Sequence, residues 1–199
     1  MGLDLIIDGQ FGSTGKGKLA HFLCTTRGYD AAVCDYGPNA GHTAVGTDGV
    51  KHVLRQLPVA AMFPGVQLFI GPGAVIDLQL LQGEIDRYQC GHLLHIHPNV
   101  AVVTPDDRFQ ESILLRGIAS TMTGTGHAYM KKMMRSPECL LACRVESLRP
   151  YVNRWTCCGG PEVMLEQGAR ILGESSQGFY LSLDHGFWPF TTFRNMSVG

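Results

Sequence analysis

Residues 3–18 read LDLIIDGQFGSTGKGK, so a short apolar run passes directly into a glycine-rich segment that contains two lysines. The residues that follow place Leu19, Phe22 and Leu23 on one face of a helix. A strand, a glycine-rich loop and a helix in this order bring backbone amides and a helix amino terminus to one point, an arrangement that binds phosphate groups. The stretch therefore predicts a phosphate-binding loop over residues 9–18.

The loop departs from the usual phosphate-binding pattern. Five residues separate Gly9 from Gly15, where the usual loop has four, and Gly17 follows Lys16 in place of a serine or threonine. A tight glycine-rich surface turn is the alternative, but the strand before it and the helix after it favour phosphate binding. The loop would also suit a P-loop kinase or GTPase. The missing hydroxyl after Lys16 and the lack of an evident second acidic metal motif argue against that class.

Further along the chain, short apolar runs alternate with segments of helical periodicity. Strands are predicted at residues 3–7, 31–34, 67–70, 93–97, 100–103 and 170–173, and helices at 18–24, 78–88, 106–119, 128–135 and 162–168. This alternation predicts an α/β fold with a largely parallel central sheet and helices on both faces. We expect one nucleotide-binding domain over residues 1–199, with a small excursion at about 136–160.

Composition and net charge argue against a nucleic-acid-binding protein and against a membrane protein. A chain of 199 residues with 45% hydrophobic content can bury one substantial core. Its 16 basic and 17 acidic residues give a net charge of -1, which provides no general attraction for nucleic acid. The sequence has neither an apolar run long enough to span a membrane nor a start that resembles a signal peptide. These features predict a cytoplasmic protein with no nucleic-acid or membrane partner.

Cysteines and histidines offer weaker candidates for metal sites. The seven cysteines are expected to be reduced. A zinc site is the alternative, although two cysteines adjacent in sequence, Cys157 and Cys158, are poorly spaced to bind one zinc ion. Its ligands would be Cys139, Cys143, Cys157 and Cys158. Close to His92, His95 and His97 alternate along a predicted strand and therefore lie on the same face of it. They are either a pair of metal ligands or partly exposed strand histidines. Asp106 and Asp107 are expected to start a helix, and Asp184 and His185 to be structural.

Three glycine-containing motifs occur in order: residues 9–18, then GPNAGHT at 37–43 and GPGAVID at 71–77. In order and spacing they resemble the adenylosuccinate synthetases. Segments at 120–129, 177–178, 184–186 and 189–192 continue the resemblance nearly to the last residue. The likeness implies a ligase that phosphorylates the purine six-oxygen and then lets the amino group of L-aspartate displace the phosphate. Members of this family continue for well over a hundred residues more, into the aspartate-binding loop and the pocket for the base of the triphosphate, so we expect a partial chain.

The resemblance also implies roles for individual residues. The triphosphate would be bound by Gly12, Ser13, Thr14, Gly15, Lys16, Gly17, Gly41, His42 and Thr43. The purine nucleotide would be bound by Ser13, Asn39, Ala40, Ser120, Thr121, Arg135, Gln177 and Thr192. Ser13, Lys16 and His42 would be catalytic, His42 by donating to the six-oxygen and the γ-phosphate as charge moves. Ser13 and the carbonyl of Gly41 would ligate Mg²⁺. Arg135 matches an arginine that reaches the nucleotide of a neighbouring subunit, which implies a homodimer; a solvated basic helix end is the alternative.

Position 13 departs from the family pattern. Typical members have Trp-Gly-Asp-Glu-Gly-Lys-Gly where this chain has FGSTGKG at 11–17, so Ser13 stands where an aspartate takes the proton from N1 and ligates magnesium. A serine hydroxyl cannot take that proton unaided. Loss of the carboxylate also makes room for the amine at position two of guanine, and this loop resembles a viral branch of the family that makes 2-aminoadenylosuccinate from dGMP. The resemblance implies dGMP as substrate and ATP as phosphate donor, in the host cytoplasm; IMP with GTP, and an inactive nucleotide-binding module, are the alternatives.

Overall fold

Short strands and helices alternate along the chain, as the apolar pattern predicts. The computed structural model describes residues 2–196. In chain order its elements are β1 (Gly2–Ile6), α1 (Lys16–Arg27), β2 (Ala31–Cys34), β3 (His42–Val45), β4 (Lys51–Leu54), β5 (Gln67–Ile70), β6 (Val75–Ile76), α2 (Leu78–Tyr88), β7 (Leu94–Ile96), β8 (Ala101–Val102), α3 (Pro105–Leu114), α4 (Thr125–Met133), α5 (Arg149–Cys158), α6 (Gly160–Glu166) and β9 (Arg170–Glu174).

A five-stranded sheet with the order β1-β9-β2-β5-β7 lies at the centre. Every neighbouring pair in it is parallel. Two smaller sheets accompany it, the parallel pair β6-β8 and the antiparallel hairpin β3-β4. The prediction of a largely parallel central sheet is therefore confirmed.

Helices pack on both faces of this sheet because alternate strand residues point to opposite sides. On β5, Leu68 and Ile70 join a core cluster that includes Ala20 of α1 and residues of α2. Phe69, between them, joins a second cluster with Trp155 of α5 and residues of α6. The predicted α/β class, with helices on both faces, is confirmed.

The hairpin β3-β4, helix α5 and the two-residue strand β6 were not predicted. The hairpin β3-β4 consists of four-residue strands that are only partly buried and show no continuous apolar run. His42 is the first residue of β3. Helix α5 lies in the stretch expected to be an excursion. It has a proline in its first turn, which suits a helix start, and it buries Val152 and Trp155 three positions apart.

β2, β5 and α2 have the predicted bounds, whereas the starts and ends of the other predicted elements shift by a few residues, as at α3. Thr104 and Asp107 form a capping box there, and Asp106 and Asp107 occupy the first turn, which confirms that the acidic pair starts a helix. The helix ends at Leu114 rather than at 119. Within residues 2–196, no helix has the length and apolar character that a membrane crossing requires.

The carboxyl ends of three adjacent strands bring distant motifs together. β1 leads into Asp8 and the glycine-rich loop, β9 leads to Gln177, and β2 leads to the motif at 37–43. Because β9 lies between β1 and β2, these three segments meet at one edge of the sheet. In open α/β sheets ligands bind at this edge.

Candidate functional site

A cavity of about 540 Å³ opens where these segments meet. It is lined by residues 11–18, residues 39–43 and Gln177. All the residues predicted to bind the triphosphate line it, together with Asn39, Ala40 and Gln177 from the set predicted to bind the purine nucleotide. Motifs separated by more than a hundred positions in the sequence thus form one site.

The other residues predicted to bind the purine nucleotide do not line this cavity. Thr121 and Arg135 are exposed, and the Ser120 hydroxyl accepts a hydrogen bond from the backbone of Met122. The Thr192 hydroxyl is buried and has no hydrogen-bond partner among the described residues. The roles implied for these four residues stay predictions.

Glycines in the loop permit contacts that any side chain would block. At Gly12, with φ of 89°, a Cβ would lie 2.8 Å from the carbonyl carbon of Gln177. At Gly17 a Cβ would lie 2.5 Å from the carbonyl oxygen of Thr43. The loop is therefore in backbone contact with both other segments of the site, and the glycines at these positions follow from that contact.

The cavity favours anions. It is lined by Lys16 and Lys18 and by the start of α1, whose first amides receive no cap from any side chain within residues 2–196. Free amides and the helix dipole attract negative charge. Among the described residues, no carboxylate lines the cavity.

Lys16 makes its hydrogen bonds to oxygens of the protein. Its Nζ donates to Asp8 Oδ2 at 3.3 Å, to the carbonyl of Gly12 at 2.9 Å and to the carbonyl of Gln177 at 2.5 Å. Burial lowers the pKa of Lys16, although the charge of Asp8 opposes this effect. The lysine thus joins the loop to the Gln177 segment, a role that the sequence did not indicate.

Asp8 is the residue of this site that the sequence analysis missed. It is buried, and its carboxylate also accepts from the backbone amide of Gln10 at 2.8 Å and from the hydroxyl of Thr14 at 2.5 Å. Burial raises its pKa, but the hydrogen bonds from Thr14 and Gln10 and the charge of Lys16 outweigh burial and lower the pKa to about 2. Asp8 is therefore ionised at neutral pH. A carboxylate at the end of an apolar strand, directly before a glycine-rich loop, was the available signal.

His42 is buried and neutral. It is 4% exposed, and its ring stacks on Tyr36 with centroids 3.8 Å apart. Burial, and then the charge of Lys16, lower the His42 pKa to about 3. The Tyr36 hydroxyl donates to Glu174 Oε2 at 2.7 Å, and burial raises the pKa of Glu174 to about 7. The stack fixes the ring plane of a histidine that carries one N–H at neutral pH.

The neutral state of His42 predicts a loss of stability in acid. Its folded-state pKa of about 3 lies below its usual 6.5, so the unfolded chain binds this proton first. The stabilisation is complete above the unfolded pKa and is lost as the pH falls. From about pH 7 to about pH 5, the free energy of unfolding of the wild type relative to His42→Phe should fall by about 2 kcal/mol in urea titrations. The raised pKa of Glu174 has the opposite effect on stability, but it is present in both proteins and cancels in the difference between their free energies of unfolding. If that difference does not change with pH, His42 is not held neutral by the fold.

The proposed zinc and histidine sites receive no support. Within residues 2–196, the one group of three His, Cys, Asp or Glu side chains close enough to share an ion is Asp106, Asp107 and His127. Asp107 already pairs there with His127 and Lys131. His95, expected to be partly exposed, is buried and bonds Gln67 at 2.8 Å. At the cavity, a cation would meet hydroxyl and carbonyl oxygens and substrate phosphates, a set that suits magnesium.

Comparisons with known proteins agree with the motifs. The family model for adenylosuccinate synthetase matches residues 5–148. The N6-succino-2-amino-2'-deoxyadenylate synthase of Cyanophage S-2L is 35% identical over 98% of this chain and 55% of its own length. The enzyme of the same name from Vibrio phage phiVC8 is 33% identical over 97% of this chain and 59% of its own length.

A solved structure extends the likeness to the fold. The succinoaminodeoxyadenylate synthetase of Cyanophage S-2L, bound to dGMP and to dATP as an energy donor, matches with a TM-score of 0.84 and 35% identity. The match covers 98% of this chain and 57% of that one. The chain therefore spans little more than half the length of the relatives that it matches.

Proposed function

This chain belongs to the adenylosuccinate synthetase family, and from this membership we propose that it is the nucleotide-binding part of a ligase that joins L-aspartate to C6 of dGMP. ATP would phosphorylate the six-oxygen, and the amine of aspartate would displace that phosphate. The product would be 2-amino-2'-deoxy-N6-succinyladenylate. We further propose a single domain over residues 1–199 and action in the cytoplasm, that of the host if the protein is viral.

The observation that carries the choice of dGMP is the side chain at position 13. Ser13 is exposed and lines a cavity in which no described carboxylate is found. A small uncharged side chain beside the base leaves space for the two-amine of guanine, which hypoxanthine lacks. The phage relative whose structure is bound to dGMP and dATP supports the same choice.

The remaining roles follow from charge and position in the cavity. The start of α1 and Lys18 would hold the phosphates, and Lys16 would join them by exchanging one of its three protein acceptors for a phosphate oxygen. Asn39 and Gln177 would contact the base. His42, neutral and held by the Tyr36 stack, would donate its one N–H to the six-oxygen as negative charge develops there. Magnesium, when bound, would neutralise charge on the phosphates.

A homodimer is part of this proposal. Apolar side chains of α3 and α4 are exposed, among them Phe109 at 61%, Leu114 at 63% and Met133 at 65%. Exposed apolar surface of this kind is common at subunit interfaces. Met133 ends α4, two residues before Arg135, the residue that the resemblance directs toward the nucleotide of a neighbouring subunit.

Calorimetric titration of this chain with dGMP and with IMP tests the choice of purine nucleotide. We expect dGMP to bind at least about tenfold more tightly than IMP, a difference of roughly 1.4 kcal/mol. Tighter binding of IMP would contradict the choice of dGMP and support the ordinary family reaction with IMP and GTP.

Phosphate release separates a ligase from a binding module. With dGMP, ATP and Mg²⁺ present, the complete protein, including the aspartate-binding region that its relatives carry beyond the length matched here, should release phosphate only after aspartate is added if it is a ligase. If nucleotides bind but phosphate release does not depend on aspartate, the protein is a nucleotide-binding module without ligase activity. This is the second candidate function because the chain covers only 55% and 59% of the length of the two phage relatives.

A further inference from the structure

The Thr14 hydroxyl has a fixed direction. Its oxygen lies 2.5 Å from Asp8 Oδ2, and the Thr14 backbone amide donates to the same oxygen at 3.3 Å. An ionised carboxylate can only accept hydrogen bonds, so the proton between the two oxygens belongs to Thr14. The hydroxyl proton therefore points into the protein, toward the buried Asp8.

Thr14 also lines the cavity, where its hydroxyl oxygen has lone pairs to offer a ligand. Thr14 is exposed and lines the cavity, whereas Asp8 is buried below the loop and is not part of the lining. A hydroxyl whose proton is committed elsewhere cannot donate to a phosphate oxygen, and its lone pairs repel one. This oxygen can take a hydrogen-bond donor or a cation as its partner, and a triphosphate brings a cation, not a donor, into the cavity.

The loop lacks the hydroxyl that usually ligates the cation in phosphate-binding loops. In the usual phosphate-binding loop, the residue after the lysine is a serine or threonine whose hydroxyl ligates Mg²⁺. Here that residue is Gly17, which has no side chain. Hydroxyl oxygens can complete the oxygen shell of Mg²⁺, the rest of which comes from phosphates and water. A carboxylate behind a ligand orients it and raises its basicity.

We propose that Thr14 Oγ1 is the loop's ligand for the divalent cation that accompanies the triphosphate, with Asp8 holding the hydroxyl proton away from the metal. The inference rests on the proposed function for the presence of that cation. It adds Thr14 to the oxygens of Ser13 and Gly41 that the family resemblance directs toward magnesium.

The test measures binding of Mn²⁺ with inorganic pyrophosphate, followed by the electron paramagnetic resonance of free Mn²⁺. Pyrophosphate needs neither a base nor aspartate, so the experiment does not depend on turnover. Thr14→Val should weaken Mn²⁺ binding in the presence of pyrophosphate about tenfold, the loss of one oxygen ligand. Thr14→Ser, which keeps the hydroxyl, should stay within about twofold of the wild type. Thr47→Val, an exposed threonine in the β3-β4 turn, controls for the threonine-to-valine change.

Two results overturn the proposal: no Mn²⁺ binding by the wild type with pyrophosphate, or equal binding by the wild type and Thr14→Val. Equal losses in Thr14→Val and Thr14→Ser would count against it as well. If the Thr14 dependence is found but dGMP does not bind, the proposed function fails while the metal ligand stands.

Discussion

Replacing Lys16 with methionine should destabilise the chain by about 3 kcal/mol and weaken pyrophosphate binding at least about a hundredfold. The stability loss follows from Asp8, which is buried and would lose its cationic partner. Removing one partner of a buried ion pair costs roughly 3–5 kcal/mol. The lower end applies because Gln10 and Thr14 still donate to the carboxylate. Urea unfolding and calorimetric titration measure the two effects.

A double variant separates the two roles of Lys16. In Asp8→Asn with Lys16→Met, no buried charge remains unpaired, so about half of the lost stability should return. Phosphate binding should stay lost because the ammonium is absent in both variants. Lys18→Met is the matched control for stability, since Lys18 is exposed and its loss should cost less than about 0.5 kcal/mol. If Lys16→Met alone is as stable as the wild type, the Asp8–Lys16 ion pair does not stabilise the fold.

The central fold was accessible from the sequence because most strands of its sheet, β1 at the edge excepted, are buried on both faces. Such strands form nearly continuous apolar runs, as in β2 and β5, and these were predicted with the correct bounds. The hairpin β3-β4 could not be found in this way because its strands carry polar residues and are partly exposed. α5 was hidden by cysteines and prolines that suggested an irregular segment, although its buried pair, Val152 and Trp155, has helical spacing.

The site was predictable to the extent that it consists of motifs at strand ends. The glycine loop and the segment at 39–43 were assigned to one site, and the structure brings them into one cavity with Gln177. The link between Asp8 and Lys16 was not predicted, because it depends on burial and on the path of the loop rather than on a spacing. The neutral state of His42 depends likewise on its burial against Tyr36.

Replacing Ser13 with aspartate should reverse the purine preference, weakening dGMP at least about tenfold and strengthening IMP by a similar factor. The added carboxylate would occupy the space proposed for the two-amine of guanine. It would also be ionised beside Lys16 and Lys18, because nearby positive charge favours the charged form, and could then accept the N1 proton of hypoxanthine.

Asparagine at position 13 separates bulk from charge. Ser13→Asn has nearly the shape of the aspartate variant without its charge, so it should lose dGMP affinity as Ser13→Asp does but gain none for IMP, because a neutral amide is a far weaker proton acceptor than a carboxylate. Calorimetric titration of the three proteins with both nucleotides gives the comparison. If Ser13→Asp and Ser13→Asn both keep the wild-type preference for dGMP, the side chain at position 13 does not select the base, and the proposal that rests on it is wrong.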